Sequence, residues 1–166
     1  AIAHEFVVSG QHQTNVERLK SDLTKICETE IAIFGSAPFK NYTFMTMATG
    51  NSYGGLEHCN STSLITPRND LPKANEPEEP SEDYQRFLGL CSHEYFHSWL
   101  VKFIRPENFA QYNLHQESYT SLLWIFEGFT SYYDDLILLR SGVISQTSYL
   151  KLLKAQMLSL IHISEP

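Results

Sequence analysis

The sequence is short of the features that mark several large protein classes. It has three cysteines, Cys27, Cys59 and Cys91, and no CxxC pair. That odd, widely spaced set argues against a disulfide scaffold or a cysteine-built zinc knuckle, so each thiol is read as a small buried hydrophobe. No stretch of about 18 apolar residues occurs, so no membrane-spanning helix is expected. Basic runs are missing too. The net charge is −7 and the longest charged run, Glu76 to Asp83, is acidic, which argues against a nucleic-acid partner that needs a basic stripe for phosphates. The opening AIAHEFVVSG has neither a methionine nor a charged-then-apolar leader pattern, and the chain is read as a piece of something longer. A reducing, cytoplasmic setting is expected, with the periplasm as the alternative. No internal repeat or low-complexity tract is present.

What is present is the composition of a folded domain. Apolar residues make up 42% and aromatics 13% of 166 residues, enough for one domain with a real core. Val16, Leu19, Leu23 and Ile26 fall at helical spacing behind a cap at Thr14 or Asn15. Ile31 to Phe34, ended by Gly35, reads as a helix tail or a strand. Asn41 to Thr49 is β-branched and aromatic and reads as a strand. Gly50-Asn51-Ser52 makes a turn, and Leu56 to Thr66 is expected to return as its antiparallel partner. A proline-rich loop over 67–80 separates this first part, residues 1–66, from a helical part over 81–166. There the spacing predicts helices from Ser81 to about Phe103, from Glu117 to Arg140 with a Ser141-Gly142 stop, and from Ser145 to about Leu160. The expected class is α+β: a small antiparallel sheet packed on helices, then a helical half, with a cleft between them.

One stretch carries chemistry. Residues 91–100 read CSHEYFHSWL, in which His93 and His97 bracket Glu94. On a helix, positions four apart lie about 40° around the axis and about 6 Å along it, so the two imidazoles face one way and can grip one metal ion. Glu94 stands beside them, where a base can reach a water. Zinc asks for a third protein ligand and an open position. The HExxHxxGxxH arrangement is excluded, because Leu100 and Phe103 occupy its glycine and histidine places. A later glutamate remains, and the candidates are Glu107, Glu117 and Glu127. Glu127 is favoured because it lies in the most apolar stretch, SLLWIFEGFTSYY, where an ionised carboxylate needs a partner. Gly128 beside it would let two helices approach. Thr130, Ser131 and Asp134 are candidates to orient the imidazoles from behind.

Taken with YGGLEH at 53–58 and WIFEGFTSYYDDL at 124–136, HEYFHSW resembles the glycyl aminopeptidase family of PDZ-containing zinc metallopeptidases, over about residues 5–155. These are gluzincins, with thermolysin-like catalytic domains. The resemblance implies one zinc ion per chain held by His93, His97 and Glu127, with Glu94 as general base. It also implies that Gly54, Gly55 and Glu57 lie on a strand at the cleft edge and that Glu57 binds the free amine of a peptide substrate. The glycines fit that placing, since they let a peptide backbone come close to the strand. His58 stands where the larger aminopeptidases carry asparagine. The family's oxyanion tyrosine is expected beyond residue 166, and the resemblance implies an amino-terminal β domain and a carboxy-terminal PDZ domain outside this stretch. Tyr132 and Tyr133 are read as helix packing. The expected activity is zinc-dependent removal of an amino-terminal residue, glycine or another small one. The alternatives are a zinc endopeptidase and a metal-binding piece without turnover.

Overall fold

The structure is a computed structural model that describes residues 2–110, 113 and 115–164, the side chains of 160–164 excepted. Its elements are β1 (Ala3–Ser9), α1 (Val16–Phe34), β2 (Asn41–Thr49), β3 (Gly54–Glu57), β4 (Ser61–Pro67), α2 (Glu82–Phe96), α3 (Leu123–Arg140) and α4 (Gln146–Ser164).

Alternation builds the sheet. Along β2, Tyr42, Phe44, Thr46 and Ala48 point inward while Met45 and Met47 stay exposed; along β4, Thr62, Leu64 and Thr66 do the same. The α+β class stands, but the sheet is mixed rather than antiparallel. Its order is β1-β2-β4-β3, with β1/β2 and β2/β4 parallel and only β3/β4 antiparallel. The stretch expected as one returning strand is two. β3 ends at Glu57, His58 N donates to Ser61 O (2.8 Å), and β4 runs back beside β2. Two reversals leave β2 and β4 pointing the same way, and β3 becomes the outer strand. β1 had no sequence forecast; α1 carries the chain from β1 to its parallel neighbour β2, as a crossover must.

Asn15 caps α1 by accepting from Arg18 N at 3.1 Å, and the doubtful Ile31–Phe34 run is the end of this helix, closed by Gly35 at φ 77°. Ser81 caps α2 with its hydroxyl. α2 lies over the sheet and drives Tyr84, Phe87, Tyr95 and Phe96 into a core shared with Tyr42 and Phe44, all below 2% exposed apart from Phe44 at 2%. Its end comes earlier than the spacing predicts. α2 stops at Phe96 with His97 as its C-cap, because Trp99 stacks flat on Phe34 (4.6 Å between rings) and Lys102 N and Ile104 N fold back to His97 O and Trp99 O. α3 starts at Leu123, six residues later than expected, and packs beside α2. Cys27 and Cys91 are buried as expected; Cys59, in the β3–β4 turn, is exposed. No described helix is long and apolar enough to cross a membrane.

Candidate metal centre

The last turn of α2 and the first half of α3 bring three side chains together. His93 Nε2 and His97 Nε2 are 3.1 Å apart, and Glu127 Oε2 lies 3.5 Å from the first and 3.7 Å from the second. These three residues form a group able to hold a metal ion. Ligand bonds of about 2.0–2.2 Å in a tetrahedron place neighbouring ligand atoms about 3.3–3.6 Å apart, so the triangle has the right size.

The far sides of both rings are fixed. His93 Nδ1 is 3.0 Å from Asp134 Oδ2, and His97 Nδ1 is 2.9 Å from Leu100 O. A carbonyl can only accept, and so can an ionised carboxylate. With both rings neutral, as metal binding requires, each Nδ1 carries the proton and each Nε2 turns a lone pair toward the other and toward Glu127. Three acceptors facing one point call for a cation. Without a metal, a proton takes the cation's place between the two rings and Glu127. Burial alone would lower the His93 pKa, but Asp134 and Glu127 outweigh it and raise it to about 10. His97 is lowered, by burial first and by the charge on His93. Glu127 is lowered, chiefly by its contact with His93. The pair thus binds one proton between them where a metal ion would compete.

Of the candidates for orienting the rings, Asp134 reaches His93. Thr130 Oγ1 lies 3.5 Å from His97 Nδ1, but its hydroxyl donates to Phe126 O at 2.6 Å, and Ser131 is exposed. The group that fixes His97 is the Leu100 carbonyl. A backbone atom leaves no mark in residue identity, so nothing in the sequence pointed to it. Glu107 and Glu117 are exposed and outside the metal-holding group. Glu127 is in the group, but not for the reason its setting suggested: its side chain is 47% exposed. The α2–α3 approach is not at Gly128, which has open space where a side chain would be. It is at Gly89, where a Cβ would stand 3.0 Å from Asp135 Oδ1. Tyr133 packs as expected, stacked on Phe96 at 5.4 Å, whereas Tyr132 is 59% exposed.

Glu94 is 5% exposed, and its Oε2 has no hydrogen-bond partner among the described residues. Burial pushes its pKa up to about 7; His93 opposes this, and Glu57 and Glu127 add to it. Its carboxyl lies against β3, where a Cβ at Gly55 would overlap it. Gly55 therefore has a steric reason to be glycine, while Gly54 has open space. Glu57 closes β3 on the same side, with Oε1 3.0 Å from Lys102 Nζ.

Residues 86–164 match the M61 glycyl aminopeptidase family. The chain resembles the M61 glycyl aminopeptidases, as its three motifs indicated. A crystal structure of an aminopeptidase N family protein from Idiomarina loihiensis is 52% identical, with a TM-score of 0.88 over 92% of this chain. The match spans 27% of that protein, so the chain corresponds to about a quarter of the length of the structure it matches. No curated protein matches the chain.

Proposed function

We propose that the chain is the metal-binding catalytic part of a zinc aminopeptidase of the gluzincin type, with His93, His97 and Glu127 as ligands. The observation that carries this reading is the convergence of three acceptor atoms whose imidazoles are locked from behind, with the buried carboxyl of Glu94 alongside, its Oε2 without a partner among the described residues. A zinc ion there supplies Lewis-acid activation of water and of the scissile carbonyl.

The remaining work belongs to the chain. Glu94, with its pKa near neutrality, accepts a proton from the attacking water and gives it to the leaving amine. Its sheltered position against Gly55 keeps that proton from being lost to solvent. The β3 edge, narrowed by two glycines, takes the substrate backbone alongside it as an added strand. Glu57 at the end of β3 holds the substrate's ammonium, so that the first peptide bond is the one presented. A preference for glycine or a small first residue rests on the family's description as glycyl aminopeptidases.

The test is a pair of variants in the full natural chain. Glu94→Gln is expected to keep bound zinc and to lose turnover by about a thousandfold or more. Glu57→Ala is expected to weaken hydrolysis of free-amine peptides far more than of amine-blocked ones. Retained turnover in the first removes Glu94 from its role. Equal losses on both substrates in the second favour an endopeptidase.

A further inference from the structure

We propose that Lys102 is a positioning residue for Glu57: it grips one carboxylate oxygen and leaves the other to receive the substrate's amine. This inference rests on the amine-anchor reading of Glu57.

The two side chains come from unrelated elements. Glu57 ends β3, and Lys102 sits in the turn that follows α2. Their atoms are 3.0 Å apart, and the side chains are only 23% and 16% exposed. A pair so sheltered is stiffer than a surface ion pair, because water and salt screen it less. Glu57 on an outer strand, without such a tie, would swing among its rotamers. With Oε1 committed to Lys102, the carboxylate plane is set and Oε2 is the oxygen left for an incoming ammonium.

The turn that delivers Lys102 is held in a costly shape. Val101 has φ 119°, the single positive-φ residue other than glycine among the described residues. For a β-branched side chain this is strained, and such strain persists only where the surroundings impose it. Here they do: Val101 N donates to Ile104 O and Lys102 N to His97 O, each at 3.1 Å. On one side of Val101, the Leu100 carbonyl orients His97; on the other, Lys102 reaches Glu57. One turn thus sets both a metal-centre imidazole and the proposed amine anchor.

The test compares Lys102→Met, which keeps length without charge, with Lys102→Arg, which keeps charge. Both are made in the full natural chain and assayed on a free-amine peptide and its amine-blocked counterpart. Lys102→Met is expected to raise KM for the free-amine peptide about tenfold or more, with kcat changed less than about threefold. Hydrolysis of the blocked peptide and bound zinc per chain should be unchanged. Lys102→Arg should restore most of the affinity. In a Glu57→Gln background, Lys102→Met should add nothing further. Equal effects on both peptides, or independent effects of the two substitutions, overturn the proposal even where Glu57→Gln alone distinguishes the peptides. If Glu57→Gln alone fails to distinguish them, the amine anchor itself falls, and this proposal with it.

Discussion

α2 and α3 both supply side chains to one centre, yet they are supported in contrary ways. Eleven of the fifteen residues of α2 are buried, from Tyr84 to Phe96, whereas α3 buries only Phe126, Thr130, Ile137 and Leu138 of its eighteen. α2 is sandwiched between the sheet, α1 and α3. α3 leaves Trp124 at 70% and Phe129 at 49% exposed. His97 is consequently fixed by a packed core, at 2% exposure, while Glu127 is aimed by a helix with one covered side. Of the two walls, the second is the more easily displaced, since less packing opposes its movement.

The most severe way to challenge that contrast is to remove one proposed ligand from each wall. His97→Ala and Glu127→Ala should each weaken zinc binding by about a hundredfold or more, read by competition with a chromophoric chelator. Their effects on the metal-free fold should part. His97→Ala is expected to cost about 2–4 kcal/mol, through loss of a buried side chain and of its bond to Leu100 O, and Glu127→Ala less than about 1 kcal/mol. Equal shifts in denaturant midpoint would break the distinction between the walls.

A smaller effect probes the seam between them. Asp135 on α3 meets Gly89 on α2, and burial, with the neighbouring Asp134 adding to it, raises its pKa to about 7. Its folded pKa lies above its unfolded one. Its contribution to stability is therefore whole below about pH 4 and is lost as pH rises through about 7. Asp135→Asn should flatten that loss, making the variant about 2 kcal/mol more stable than the parent at pH 8 relative to pH 4. Parallel stability–pH curves for the two proteins would show that the seam is wet.

The smallest effect concerns the turn that ends the rigid wall. Val101→Gly removes a 9% exposed side chain, a change that ordinarily costs several kcal/mol, but it also relieves a positive φ. The two should offset to within about 1 kcal/mol. A full core-deletion loss in thermal melts would mean that the turn is unstrained.

The site was more legible in the sequence than the sheet. The four-residue spacing of His93 and His97 is a local property of a helix, and it survives even though α2 ends at His97, because the cap keeps helical dihedrals. Glu127 was singled out as a carboxylate in an apolar stretch. The structure brings it to the imidazoles, but the apolar stretch around it is largely exposed, so hydrophobicity did not translate into burial there. Strand order is non-local. Nothing between Asn41 and Pro67 encodes that β4 lies parallel to β2, because that depends on β3 turning the chain twice. The Leu100 carbonyl, the Glu57–Lys102 pair and the helix contact at Gly89 were unseen for the same reason: each is a meeting of distant or backbone atoms.

His97 closes α2, so both imidazoles emerge from that helix's carboxy-terminal turn. The aligned peptide dipoles give such an end a partial negative charge, about half an electron. A divalent ion arriving there is favoured before any side chain contributes, and the nearby backbone would disfavour an anion bound in its place.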